Sequence, residues 1–255
     1  MTRWRGVLFD KDGTLIDFHH TWVPATVGTA ASVAALAHPG RDEKARREAL
    51  TRRLVGLIGY DMATATLNPE SLLARGSLGE IAALWAREAG LAGMESAVAR
   101  IGMEFRDRAV GSASPLLPLA PFLGRLRGLG LRLGVATMDT TESARMTFAA
   151  LGVGHLLDFV TGFDGGHGEK PGPGMVHGFC AAVGIAPGEV VVVGDSLHDL
   201  AMAKAAGAGL AVAVLTGVSG HDHLADSADE VIHGVSELEK LLERLTATAQ
   251  TGSSV

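Results

Sequence analysis

One cysteine, Cys180, stands among 255 residues, so no internal disulfide can form and no cysteine-rich zinc site is possible. That usage suits a reducing, cytoplasmic compartment. Aromatic residues make up 5% of the chain and charged ones 20%, against 47% hydrophobic, which excludes a charge-rich disordered polymer. Basic residues are outnumbered, 22 Lys and Arg against 28 Asp and Glu, for a net charge of −6. No nucleic acid is expected as a partner, because a phosphate backbone calls for a basic face. Long apolar runs are also missing. Residues 21–40 carry no charge, but they hold Pro24, Thr21, Thr26, Thr29 and Ser32, and most of their apolar residues are alanine. They read as a buried Ala-rich helix rather than a span, and no membrane is expected. Only four apolar residues, Gly6–Phe9, precede Asp10, too few for a secretory leader.

What is present is a patterned α/β chain. A protein of this mass buries about 72% of its unfolded surface, enough for a substantial core. Short apolar runs at Gly6–Phe9, Leu131–Ala136, Phe159–Thr161, Val190–Val193, Leu210–Leu215 and Glu230–Ile232 read as strands covered on both faces of a parallel sheet. Helical segments at Thr141–Leu151, Gly174–Val183, Leu197–Ala206 and Glu237–Thr246 follow them, the last with Ser236 and Glu239 as a capping box. The alternation predicts an open, Rossmann-like parallel sheet with crossover helices. Between the first two strands lie some 110 residues without a strand signal, helical near 22–37, 42–56, 78–89 and 95–110, with a second capping box at Ser77 and Glu80. This predicts an inserted helical domain over 18–111 and a core of 1–17 and 112–255, with the proline-rich stretch 115–121 marking the return. The tail from Thr246 is expected to fray.

Ligands of open α/β sheets bind beyond the carboxyl ends of the strands. There the chain delivers Asp10-Lys11-Asp12-Gly13-Thr14, then Thr137-Met138-Asp139, then Asp164 through Lys170-Pro171, then Gly194-Asp195-Ser196-Leu197-His198-Asp199. Packed acids repel one another and resist burial unless a cation sits among them. Carboxylate oxygens suit Mg²⁺, which keeps sites for water and phosphate. A hydroxyl, a lysine and glycine-rich backbone amides suit a phosphate dianion. The set points to Mg²⁺ plus a phosphorylated substrate, with a carboxylate nucleophile.

The run Val7-Leu8-Phe9-Asp10-Lys11-Asp12-Gly13-Thr14-Leu15 resembles the first motif of the haloacid dehalogenase superfamily. Thr137 after an apolar strand, Lys170-Pro171, and Gly194-Asp195 through Asp199 are similar to its second, third and fourth motifs, in order. The resemblance implies that the helical insertion is a mobile cap. It implies that Asp10 is the nucleophile, forming an aspartyl-phosphate and binding Mg²⁺. Asp12 is implied as acid and then base, with its carbonyl on the metal. Thr137 and Lys170 would hold the phosphoryl group, Asp195 would bind metal directly, and Asp199 would be a metal ligand or an anchor behind the ligands. Asp12 distinguishes the chain from family dehalogenases, which lack that acid. The surroundings of Thr137 and Lys170 look most like phosphoglycolate-phosphatase-type members, although Met138 stands where those often carry Asn.

The expected activity is Mg²⁺-dependent hydrolysis of a small phosphorylated metabolite. A phosphosugar mutase on the same fold and a non-catalytic binding protein are the alternatives, and the oligomeric state is open. Among the remaining residues, His19 and His20 read as solvated residues near a hinge, and Asp164 as a loop organiser. His167 is a lesser candidate for positioning Lys170. Arg75 reads as surface, and Arg46, Arg47, Arg52 and Arg53 as a solvated helix face. Cys180, Trp4, Trp22 and Trp85 read as core.

Overall fold

The computed structural model describes residues 4–251 other than 69, 70, 92, 94 and 218, with side chains at 75, 95 and 248–251 also left aside. The Arg75 side chain and the tail from residue 252 therefore lie outside the described residues. By internal contacts the chain divides into two compact units, one of residues 1–18 and 114–255 and one of residues 19–113.

The first unit opens with β1 (Gly6–Phe9). The insertion follows as α1 (Phe18–Ala37), α2 (Lys44–Leu57), β2 (Tyr60–Asp61), β3 (Thr66–Leu67), α3 (Leu72–Arg75), α4 (Leu78–Glu88) and α5 (Glu95–Gly111). The first unit then resumes with α6 (Leu119–Gly128), β4 (Arg132–Ala136), α7 (Thr141–Ala150), β5 (Phe159–Thr161), α8 (Gly174–Val183) and β6 (Val190–Gly194). It closes with α9 (Leu197–Ala206), β7 (Leu210–Val214), α10 (His221–Leu224), β8 (Glu230–Ile232) and α11 (Leu238–Thr251).

Six strands form one sheet in the order β5-β4-β1-β6-β7-β8, every neighbouring pair parallel. Strand alternation sends Val7, Phe9, Val191, Val193, Val212 and Val214 to one face. That face is covered by Phe122 and Leu126 of α6, Phe148 of α7 and Leu238, Leu241 and Leu242 of α11. Leu8, Val190, Val192, Ala211 and Ala213 point the other way, onto Met175, Val176 and Phe179 of α8 and Leu200, Met202 and Ala203 of α9. Both faces are dry, which is why the strands read as unbroken apolar runs. Cys180 belongs to the second layer and Trp4 to the first, as core residues.

The helical unit has its own centre. Trp85 stacks on Phe105 with centroids 5.4 Å apart and planes 6° from parallel, and Trp22 meets Phe105 edge-on at 5.9 Å. The Trp85 indole N–H donates to the Leu54 carbonyl at 2.9 Å, so the buried ring leaves no donor wanting. On α1 the buried face runs Thr21, Trp22, Ala25, Thr26, Thr29, Ala30, Val33 and Ala34. No helix among the described residues is long and apolar enough to cross a membrane. The Ser77–Glu80 capping box is formed, with Glu80 N donating to Ser77 Oγ at 3.2 Å and Ser77 N to Glu80 Oε2 at 2.8 Å.

Four details depart from the sequence reading. The insertion does contain strands, the two-residue antiparallel pair β2–β3. Helix α6 occupies part of the proline-rich return, because Pro121 falls in its first turn, where a missing N–H breaks no helical bond. A 3₁₀ turn over Val235–Glu237 precedes α11, so Ser236 lies inside that turn and not at a helix cap. The tail stays helical to Thr251: Leu245 packs on the core, and Thr246 Oγ1 donates back to the Leu242 carbonyl at 2.8 Å.

Candidate active site

Strands β4, β1 and β6 are adjacent and parallel, so their carboxyl ends share one edge. Phe9 pairs with Val135 on one side and Val193 on the other. The residues that follow these three strands are Asp10, Thr137 and Asp195. The Asp10 amide continues the ladder, donating to the Val193 carbonyl at 2.8 Å, which fixes the Asp10 loop against the end of β6.

Asp10, Asp195 and Asp199 each present a carboxylate oxygen within 4.8 Å of the others. Asp199 sits in the first turn of α9 under a complete capping box, Asp199 Oδ2 accepting from Ser196 N at 3.1 Å and Ser196 Oγ at 2.6 Å. Gly194 has no side chain for a steric reason: a Cβ there would lie 2.3 Å from Cβ and Cγ of Asp199. Gly13, at φ +81°, turns the first loop back, and a Cβ would come within 2.6 Å of Asp195 Oδ2.

Lys170, from the loop between β5 and α8, brings its ammonium into this cluster. Nζ donates to Asp10 Oδ1 at 2.5 Å and to Asp199 Oδ1 at 2.6 Å, with only 2% of the side chain exposed. Burial opposes the lysine's charge, but the facing carboxylates of Asp10 and Asp199 outweigh it and hold its pKa above the ordinary value. For Asp10 the balance goes against the charge. Burial, resisted by Lys170 and reinforced by Asp199 and Asp12, pushes its carboxyl up to about 7.

Thr137 is buried at the same edge. Its N–H donates to the Thr161 carbonyl at 3.0 Å, and its Oγ1 accepts from Asp139 N at 3.1 Å. Asp12 is half-buried, and its carboxylate lies 2.8 Å from Lys11 Nζ. Asp164 organises its loop, Oδ1 accepting from Thr141 N at 2.7 Å and Thr141 Oγ1 at 2.8 Å. His167 packs its ring on Phe159, 5.5 Å between centroids, and lines a groove of about 460 Å³ beside β5 whose lining holds none of the four motif acids. The sequence reading gave no role to Lys11, which is buried between Asp12 and Asp139.

A cation has a physical place here. With every acid ionised, Asp10, Asp12, Asp139, Asp195 and Asp199 exceed the two lysines by three charges, and the clustered donor atoms of Asp10, Asp195 and Asp199 are all carboxylate oxygens. That donor chemistry suits a hard divalent ion.

Residues 4–207 match the haloacid dehalogenase-like hydrolase family. The chain belongs to that family. Similarity to individual members runs across most of its length. The Dickeya dadantii (strain 3937) protein named "Probable phosphatase IndB" is 29% identical over 228 residues, covering 89% of this chain and 87% of its own. The phosphoglycolate phosphatase of Escherichia coli (strain K12) is 29% identical over 214 residues, covering 80% of this chain and 78% of its own. The crystal structure of a HAD phosphatase from Thermococcus onnurineus superposes with a TM-score of 0.62 at 23% identity, covering 93% of this chain and 97% of that one. The six-stranded parallel sheet is thus the α/β fold of this family.

Proposed function

We propose that the protein is a Mg²⁺-dependent phosphatase of small phosphomonoesters, of the phosphoglycolate type, working through a phosphorylated Asp10. One observation carries the reading: Lys170 bridges Asp10 and Asp199 beside Asp195 at the carboxyl ends of parallel strands. A buried nucleophile, a fixed cation and an excess of acids meet there, which is what phosphoryl transfer requires.

Each residue then has a task. A carboxylate oxygen of Asp10 attacks phosphorus as the bond to the leaving oxygen breaks, and Asp12 gives that oxygen its proton. Asp12, now a carboxylate, takes a proton from water. The water oxygen bonds to phosphorus, and the bond to Asp10 breaks with its electron pair returning to the carboxylate. Lys170 and Thr137 hold the phosphoryl oxygens. Asp10, Asp195 and the Asp12 carbonyl would hold Mg²⁺, which when bound supplies charge neutralisation and in-line alignment. Asp199, engaged by Lys170 through Oδ1 and by Ser196 through Oδ2, serves as the anchor of Lys170. We assign the helical unit of residues 19–113 the choice of substrate. The companion of the protein in this reading is a phosphorylated metabolite.

Phosphate release from 4-nitrophenyl phosphate with and without Mg²⁺, followed by a panel of phosphorylated metabolites, tests this. A phosphoenzyme that persists in water and discharges only to a monophosphorylated sugar would make the protein a mutase.

A further inference from the structure

The reaction set out above makes no use of Lys11, yet this side chain is as deeply buried as Lys170, 2% exposed. A lysine is seldom placed there without partners, because its ammonium must be desolvated. Lys11 has two, on different loops. Nζ lies 2.8 Å from Asp12 Oδ2 and 3.0 Å from Asp139 Oδ2, the latter side chain being 4% exposed. Asp139 is itself held. Its Oδ1 accepts from Thr140 N at 2.7 Å, its N–H donates to Thr137 Oγ1 at 3.1 Å, and its carbonyl accepts from Phe163 N at 3.2 Å. The base of this arrangement is therefore fixed to the loop after β4, and its tip rests on the carboxylate of Asp12.

Asp12 acts twice at one phosphorus in the proposed reaction, first giving a proton and then removing one. Each transfer needs the carboxyl within hydrogen-bond reach of a different oxygen. A displacement of about 1 Å can cost about a hundredfold in rate. We infer that Lys11, braced by Asp139, is a positioning residue that sets the Asp12 carboxylate for these transfers. The inference rests on the phosphatase reading and on the role given there to Asp12. Lys11 does not touch the phosphoryl group in this account. It acts through Asp12 and ties the nucleophile loop to the Thr137 loop.

The test is steady-state and single-turnover kinetics at saturating Mg²⁺ with a poor leaving group, an alkyl phosphate, and a good one, 4-nitrophenyl phosphate. The variants are Lys11→Met, Asp12→Asn and the two combined. Lys11→Met should lower kcat on the alkyl ester by about ten- to a hundredfold with KM changed less than about threefold. The first turnover on the nitrophenyl ester, which needs little acid assistance, should fall far less. In the Asp12→Asn background Lys11→Met should change kcat by less than about twofold, since the residue it acts through is already disabled. If Lys11→Met fails to fold because Asp139 is left charged and buried, Lys11→Met with Asp139→Leu removes both charges and should give the same pattern. Equal losses in the first turnover on both esters, multiplying with Asp12→Asn, would overturn the inference and leave the phosphatase reading standing. A folded wild-type protein that releases phosphate from neither ester would overturn that reading, and the inference with it.

Discussion

Replacing Asp10 should make the metal-free protein more stable. Asp10 is raised from 3.8 to about 7, burial being the largest cause and the carboxylates of Asp199 and Asp12 adding to it. That is about three pKa units, and at about 1.4 kcal/mol per unit the ionised form is disfavoured by up to about 4 kcal/mol. Asp10→Asn removes this cost, in which the opposing attraction of Lys170 is already counted. Lys170 keeps Asp199 as its partner at 2.6 Å. The expectation is a gain of up to about 4 kcal/mol, or up to about 8–16 °C in the transition of a unit this size. The sign with pH follows from linkage. Between about pH 4 and pH 7 the folded state holds a proton on Asp10 that the unfolded state has lost. Wild-type stability therefore falls as pH rises through that window and levels off above it. The advantage of Asn is fully present at pH 8 and shrinks toward pH 5. The assay is thermal unfolding by circular dichroism in EDTA at both pH values, repeated with Mg²⁺, which should stabilise the wild type more than the variant. An Asn variant less stable than wild type at pH 8, or a gain independent of pH, would refute the reasoning.

Other consequences are equally direct. Activity should vanish in excess EDTA and return with Mg²⁺, and Asp195→Asn should raise the Mg²⁺ needed for half-maximal rate by at least about tenfold, read by titration of metal-stripped protein. Asp158 accepts from Arg127 Nη1 at 3.0 Å, Arg132 Nη1 at 3.1 Å and Leu133 N at 2.9 Å, and these bonds outweigh its burial to lower its pKa. Its stabilisation should be present above about pH 4 and lost as pH falls through its lowered folded value. Asp158→Ala should cost about 1–3 kcal/mol at pH 7 in urea unfolding and progressively less as pH falls below about 4. Trp85→Ala, which empties the stack on Phe105, should cost about 3–5 kcal/mol in the helical unit, followed by the unfolding of that unit in hydrogen exchange. Deleting residues 20–110 with a short linker should leave weak hydrolysis or none, without discrimination among esters. A folded truncation that kept the same ranking would move specificity out of the helical unit.

The sheet was legible because its strands are dry on both faces. Gly6–Phe9 and Glu230–Ile232 end where the apolar runs end, since the next residue, Asp10 or His233, is polar and lies at the sheet edge. Helix α6 was hidden by Pro118 and Pro121, whose helix-breaking signal reverses in the first turn. The β2–β3 pair is two residues long on each side, below what alternation can reveal. The motif residues could be picked out because four strands deliver them in order. Lys11 could not, because a lysine in a turn reads as solvated, and only the return of the loop after β4 puts Asp139 against it. Whether Asp199 faces a metal or a lysine is likewise invisible in sequence. It depends on the approach of Lys170 from 29 residues away.

Covalent capture of the phosphoryl group on Asp10 tests the central claim most directly. The protein is mixed with Mg²⁺ and 4-nitrophenyl phosphate, quenched in acid within one turnover, digested and examined by mass spectrometry. The Asp12→Asn variant is run in parallel, because its discharge should be slow. The account predicts one added phosphoryl group on the peptide bearing Asp10, more abundant in the Asp12→Asn protein and absent from Asp10→Asn. Steady phosphate release with no phosphorylated peptide, or turnover by a folded Asp10→Asn protein at a tenth of the wild-type rate or more, would contradict it.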